Sequence, residues 1–452
     1  MLSRQQFDAA AFRLASYHLS LLKGLQDDFE QGQFQKRAEF EKHWSQIKQS
    51  HQFMSERLAY DAFAADYCLQ FVLTSYDFLY VWRNLAETLQ WVEVGIAASQ
   101  QLDNQGLVDL LHHQISLYFV NKKLGLAQQK IDNLLHLATT LNAPLAKAHA
   151  LLHRGRFHLT QGDYDEAQTF LADSANLYQQ LDNQAQYGWV LYNLASIAEI
   201  QGKLDEAHQY IDNALQAYQA PQDLRRITLA KSRLGSIIEQ QGDKEHGFQY
   251  AEQALKSAYQ LQDNMLIISS LMNLAIIVWE QGQQNLSLAY YEEANFLSRK
   301  IGAMPYQANA LMNLGYINSN QGDFVRAEQY YTESMTTYHN LQYKRRAYVS
   351  QAYLCFAVVM NDKQAIAIAN LCEAWQFGNE ADDRLIRGLT LIALAAYLIK
   401  QNELHDAMIC YQAIKAHHTN DDVSDALNIF EKMFPVFIHE ISLETNALSL
   451  ED

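Results

Sequence analysis

Residues 189–227 read WVLYNLASIAEIQGKLDEAHQYIDNALQAYQAPQDLRRI. Leu191, Leu194, Ala195 and Ala198 recur at the i, i+3, i+4, i+7 spacing of one helical face. Gly202 follows, a residue that takes left-handed dihedrals without Cβ strain and so ends a helix. A second helix runs on to about Tyr218, and its small residue Ala207 lets it pack closely on Ala195. The stretch predicts an antiparallel helix pair.

The same pattern returns every forty residues. Gln-Gly stands at 161–162, 201–202, 241–242, 281–282 and 321–322, and Asn361-Asp362 and Gln401-Asn402 continue the phase in degenerate form. Asn121-Lys122 precedes it. A small residue lies seven positions before the second residue of each pair, at Gly155, Ala195, Gly235, Ala275, Gly315, Cys355 and Ala395. Another lies five positions after it, at Ala127, Ala167, Ala207, Gly247, Ser287, Ala327, Ala367 and Ala407. Asp163, Asp243 and Asp323 stand where an N-cap would open the second helix, and Asp163 with Glu166 has capping-box spacing. Pro144, Pro221 and Pro305 fall between units, where a missing N–H costs nothing. Neighbouring pairs that share small-residue crossings bury one continuous core, which is how a solenoid holds together.

Asn313-Leu314-Gly315, then Gln321-Gly322-Asp323-Phe324, Ala327 and Tyr331, resembles the tetratricopeptide repeat. The usual unit has about 34 residues; forty implies longer helices, as in the subgroup that includes kinesin light chains. The resemblance is strongest over 148–338 and extends over 108–147 and 339–415. It implies an all-α fold, an α-solenoid whose antiparallel helix pairs wind into a right-handed superhelix.

The expected organisation is an N-terminal helical cap over 1–58 and an aromatic-rich degenerate repeat over 59–107. The repeat array covers 108–415, a capping helix 416–441 and an acidic tail 442–452. Within the cap, Phe40, Trp44 and Ile47 keep helical spacing. Residues 59–104 carry Tyr60, Phe63, Tyr67, Phe71, Tyr76, Phe78, Tyr80, Trp82 and Trp91, which reads as a core covering the open end of the array, with an aromatic ligand pocket as the alternative.

On the first helix of each pair, positions 189, 193, 196 and 200 lie opposite the apolar stripe. Steps of forty turn these slots into ladders, with rungs on the order of 10 Å apart. One runs His113, His153, Asn193, Arg233, Asn273, Asn313, Tyr353; a second Asp109, His149, Trp189, Leu229, Ser269, Asn309; a third Ser116, Arg156, Ser196, Ser236, Ile276, Tyr316, Phe356. Tyr192 and Trp279 lie on the same side. A solvated polar face is the ordinary fate of such a stripe. This one mixes Asn, His and Arg with aromatics, a composition typical of binding hot spots, and Asn both donates and accepts toward a peptide backbone.

In tetratricopeptide proteins this face lines a concave groove, so the resemblance implies that a protein or peptide segment binds there. The candidate residues are His113, His149, His153, Arg156, Trp189, Tyr192, Asn193, Arg233, Asn273, Trp279, Asn309, Asn313 and Tyr316. The two-carboxylate clamp of chaperone-binding members needs lysines at slots that here hold Leu152, Tyr192, Ser232 and Met272, or His149, Trp189 and Leu229. Recognition of an acidic chaperone tail is therefore not expected. Similar arrays also form the sensor arms of bacterial signal-transduction NTPases and the pheromone receptors of transcription regulators. A ligand-sensing module that signals to a separate effector is thus the alternative to a scaffold.

The remaining classes fall away on composition and motif. Lys+Arg 34 against Asp+Glu 51 gives a net charge of −17, which repels nucleic acid and anionic membrane. Cys68, Cys355, Cys372 and Cys410 form no CxxC pair, against a disulfide scaffold or Cys-ligated zinc. The apolar run from Leu389 to Ile399 is shorter than the ~20 residues a span needs, and MLSRQQFDAAAFRL lacks the form of a signal peptide. Walker-A, GxSxG, HExxH and GxGxxG motifs are absent from the sequence. His112, His113, His149, His153 and His158 cluster, but no carboxylate or Cys completes a metal set. The expectation is a cytoplasmic, non-catalytic protein without cofactor or metal.

Overall fold

The computed structural model describes residues 4–30, 37–82, 85–103, 106–120, 123–219, 223–417 and 421–439. Among them every regular element is an α-helix, and antiparallel pairs succeed one another as an all-α solenoid. Four helices come first: α1 (Arg4–Glu30), α2 (Arg37–Ser55), α3 (Ala62–Trp82) and α4 (Leu85–Gln101). The repeat pairs begin with α5 (Leu107–Val120) and α6 (Leu124–Thr140), α7 (Pro144–Gln161) and α8 (Tyr164–Gln180), α9 (Gln184–Ile200) and α10 (Leu204–Gln219). They continue with α11 (Leu224–Gln240) and α12 (Lys244–Leu261), α13 (Asn264–Glu280) and α14 (Gln284–Ile301), α15 (Met304–Asn320) and α16 (Phe324–Asn340). The last are α17 (Lys344–Met360) and α18 (Gln364–Glu380), α19 (Arg384–Lys400) and α20 (Leu404–His417), then α21 (Asp421–Met433). The chain forms two compact units, Met1–Ile277 and Val278–Asp452. The expected tail over 442–452 and Pro221 lie outside the described residues.

The forty-residue register has a backbone cause. Gly162, Gly202, Gly242, Gly282 and Gly322 all have positive φ, between 72° and 97°. Asp362 and Asn402 take φ of 60° and 64° at the degenerate copies. After each of these turns an N–H reaches back five residues, as Lys203 N to Ala198 O at 2.8 Å and Asp323 N to Asn318 O at 2.9 Å, closing a Schellman-type cap. Among the described residues a second left-handed series ends the other helix of a pair, at Asn142, Asp182, Gln262, Gly302, Gln342 and Asp382.

The small-residue slots are the helix crossings. A Cβ on Gly235 would sit 2.7 Å from Gly247 O and 2.9 Å from Ala251 N, so α11 and α12 touch backbone to backbone. Ala195, Ala207, Ala275, Ala327, Cys355, Ala367, Ala395 and Ala407 are fully buried at the equivalent places. Asp243 and Asp323 cap α12 and α16 through the N–H groups of His246 and Arg326. Asp163 does not cap α8, and the capping box with Glu166 does not form. Its Oδ2 lies 3.2 Å from His158 Nδ1, so a neighbouring imidazole takes the carboxylate that the helix N-terminus would have used. The first helices have caps of their own, from Asn183, Asp223, Asp263 and Asp383.

At the N-terminal end, Phe40, Trp44, Ile47, Tyr67, Phe71 and Phe78 are core. Trp91 stacks on Trp44 and on the buried His51. No helix among the described residues is long and apolar enough to cross a membrane.

Candidate functional site

Helix periodicity sets Arg156, Trp189, Tyr192 and Arg233 on one side of α7, α9 and α11, and packing welds them into a row. The Arg156 guanidinium lies 4.4 Å over the Phe119 ring of α5 and 5.8 Å from that of Trp189. Trp189 stacks on Tyr192, with centroids 5.0 Å apart and planes within 8°. Arg233 covers Tyr192 at 4.5 Å and pairs with Glu199 at 2.9 Å, and Gln240 holds the other oxygen of Glu199. Cation and aromatic surface thus alternate across four first helices, an arrangement stabilised by the ring quadrupoles. Phe119 completes the row from a position outside the sequence ladders.

Beneath this row lies a histidine relay. His153 Nδ1 is 3.4 Å from an Arg156 nitrogen, and His153 Nε2 is 3.0 Å from His112 Nδ1. Arginine only donates, so Nδ1 of His153 accepts and its proton sits on Nε2, where it is donated to His112. His112 then carries its proton on Nε2. His149 bonds the Tyr178 hydroxyl at 2.6 Å, and its Nε2 stands 4.0 Å from Asp109. Burial holds these imidazoles neutral: it lowers His149 to about 4 and His113 to about 3. It takes His112 and His153 well below the usual value, with neighbouring charges adding to the effect. Among the described residues no group of three His, Cys, Asp or Glu is arranged to hold a metal ion.

Helix α3 closes over this face. Tyr76 stacks on His113 with centroids 3.6 Å apart. Tyr80 receives Arg225 of α11 over its ring at 4.7 Å, and Arg225 is anchored to the buried Asp263 at 2.7 Å. Arg37 of α2 donates to Gln262 O. The first unit therefore brings α2 and α3 round to α11 and α12. Asp77 is exposed, yet the surrounding protein raises its carboxyl pKa, with Arg226 acting in the opposite sense. Asp109 is likewise exposed and raised. The face is wet but walled in.

The structure moves three expected site residues inward. His149, His153 and Asn193 are 3%, 0% and 7% exposed and do not stand open to a ligand. Their slots lie between adjacent first helices, where side chains bond neighbouring helices or, for Asn193, the Trp189 carbonyl at 2.6 Å. His113 is partly covered by Tyr76, and Asn273 donates to Ser232 Oγ at 2.8 Å. Arg156, Trp189, Tyr192 and Arg233 keep partial exposure.

In the second unit, Asn313 donates to the carbonyl and side-chain oxygens of Asn309, and Trp279 meets Tyr316 edge-on at 5.3 Å. These four residues are partly exposed. Further along, the ladder slots turn apolar. Tyr353, Phe356, Leu389 and Ile392 line one small void together with Ala426 and Ile429 of α21. Lys432 at the end of α21 donates to Asn320 O of α15 at 3.0 Å, and Glu431 pairs with Lys415 at 2.8 Å. The last helix therefore lies on the ladder face and covers it.

Cys68 and Cys355 are buried, Cys410 is partly buried and Cys372 exposed, all as free thiols.

Tetratricopeptide-repeat family models match residues 147–220 and 307–341. No curated protein matches the chain by sequence. Among solved structures, a Rap protein complexed with Competence and Sporulation Factor aligns with TM-score 0.54 at 12% identity, over 84% of this chain and 98% of that one. The apo form of the quorum sensor NprR from B. thuringiensis aligns with TM-score 0.52 at 13% identity, over 78% and 98%. The Cut9–Hcn1 hetero-tetramer of the APC/C gives 0.50 at 16%, over 78% and 60%. At these identities the likeness is one of fold.

Proposed function

Since the chain is a tetratricopeptide-repeat protein, we propose that it is a non-catalytic scaffold that binds a protein or peptide segment on the ladder face of its first helices. The observation that carries this reading is the partly exposed row of Arg156, Trp189, Tyr192 and Arg233. Stacked aromatics and arginine are the groups that anchor partners, because they offer large contact area at low conformational cost. Asn273 adds an amide group to this face, and within the second unit Asn309 and Asn313 offer amides, and Trp279 and Tyr316 aromatic surface, on the ladder positions there. On this reading the protein works in the cytoplasm with its thiols reduced. Its partner is a polypeptide rather than nucleic acid or membrane, which a charge of −17 supports. No cofactor is required.

The test is affinity capture from cell lysate with the wild type and with a Trp189→Ala, Arg233→Ala variant, both checked for native helicity. Partners lost only with the variant support the ladder face. Identical partners with both move the binding site elsewhere on the protein.

A sensing role is the second reading, favoured by one feature. Tyr80 with Arg225 and Arg37 with Gln262 join α3 and α2 to α11 and α12, so entry to the face involves contacts that could open. The solved structures of similar fold include a quorum sensor. A sensor shifts its population of conformations on binding, whereas a preformed scaffold changes little. Solution scattering that stays the same at saturating ligand would remove the sensing role.

A further inference from the structure

The arginines around the ladder face of the first unit differ in one respect. Arg225 pairs with Asp263 at 2.7 Å, Arg226 with Asp223 at 3.2 Å and Arg233 with Glu199 at 2.9 Å. Arg156 pairs with no carboxylate among the described residues. Its neighbours are the Phe119 and Trp189 rings and a ring nitrogen of His153. Burial disfavours its charged form and lowers its pKa, with Tyr80 and Tyr76 acting in the opposite sense. A partly buried cation without a counter-charge has lost solvation that ring faces restore only in part.

We propose that Arg156 is an anion-binding centre that takes one carboxylate of a bound peptide. This deepens the peptide-binding reading above and rests on it.

The geometry suits that ligand. One Arg156 N–H is committed to His153 Nδ1, and that donation sets the tautomer in which His153 Nε2 donates to His112. The guanidinium is therefore oriented from below, leaving further N–H groups of the five for a carboxylate, which arginine binds as a fork. Phe119 and Trp189 flank the guanidinium with ring faces, and the stacked Trp189–Tyr192 surface continues beside it for an apolar neighbour. Asp77 and Asp109 are exposed on the same face, so a string of acids would be repelled where a single carboxylate is held. The ligand is a mostly uncharged peptide with one carboxylate, either its C-terminus or one Asp or Glu.

The probe is three pools of fluorescein-labelled random heptapeptides, passed over the immobilised full chain. One pool has a free C-terminus and no Asp or Glu; one is C-terminally amidated with a single Asp or Glu; one is amidated and free of acids. Retention of the first or second pool but not the third supports the proposal and identifies the source of the carboxylate. A peptide from the retained pool should lose at least about tenfold in affinity when its acid is converted to the amide. That loss should vanish on Arg156→Gln and be partly kept on Arg156→Lys. Equal retention of the acid-free pool overturns the proposal and leaves peptide binding standing. So does an acid preference that survives Arg156→Gln. Should Arg156→Gln fail to fold, Arg156→Lys decides: an acid-to-amide loss smaller than that of the wild type supports the proposal, and an undiminished one overturns it. If the wild type retains none of the pools, peptide binding itself fails and this proposal falls with it.

Discussion

Acid should destabilise the first unit well before its ordinary carboxylates titrate. His51, buried against Trp91 and Phe71, is lowered to about 4, His149 to about 4 and His113 to about 3. His112 and His153 are lowered as well. In the unfolded chain each returns to about 6.5 and takes up a proton that the folded state refuses. Stability is therefore complete above pH 6.5 and falls as pH drops toward the folded pKa of each group. At pH 5.5 an unfolded histidine is about ten-elevenths charged, which costs about 1.4 kcal/mol per group. His51, His113 and His149 together amount to about 4 kcal/mol, a large share of the ~5–15 kcal/mol that holds a domain folded. The raised carboxyls of Asp77 and Asp109 act in the opposite sense and trim the total. Urea unfolding followed by far-ultraviolet dichroism at pH 7.5, 6.5 and 5.5 measures the loss. A fall of less than about 1.4 kcal/mol by pH 5.5, the equivalent of one histidine, would refute the reasoning. Replacing His51 by Leu should remove one proton from the dependence.

Four substitutions have outcomes that follow from the packing. Gly235→Ala should destabilise by about 1–3 kcal/mol, because its Cβ meets backbone atoms of α12. Gly24→Ala in α1, with nothing within 4 Å, should stabilise by about 0.5–1 kcal/mol. Thermal melts that rank the two the other way contradict the crossing geometry. Asp263→Ala removes the cap of α13 and the partner of Arg225 together and should cost about 2–4 kcal/mol by urea titration, with Asn recovering part of it. A loss below about 1 kcal/mol would show that the carboxylate is dispensable. Tyr178→Phe should cost about 1 kcal/mol for the lost bond to His149; an unchanged melt would count against that bond.

The helix pairs were legible because glycine and small residues are demanded by backbone geometry, at the left-handed turns and the crossings. The second series of left-handed turns was less so: Gly302, Asn142, Asp182 and Asp382 are types that tolerate such dihedrals, but Gln262 and Gln342 carry no such signature. The Asp163 cap misread a competition that only three-dimensional proximity to His158 decides. The ladders placed Arg156, Trp189 and Arg233 on one side of their first helices, where they keep partial exposure. They could not separate slots open to solvent from slots pinched between helices, which is why His149, His153 and Asn193 are buried. Nor could periodicity foresee Tyr76 and Tyr80 closing over the face, because curvature accumulates from small rotations between pairs. The apolar drift of the ladder at Phe356, Leu389 and Ile392 was a usable sign that something covers it, and α21 does.

The recurring left-handed turns have an evolutionary reading. Because Gly162, Gly202 and Gly242 end their helices with the same backbone conformation, unequal recombination between two such points removes or duplicates a whole helix pair and leaves both junctions unstrained. The stripe of side chains then shortens or lengthens by one rung, on the order of 10 Å. A lineage built this way can retune the length of that stripe in fixed steps, one helix pair at a time.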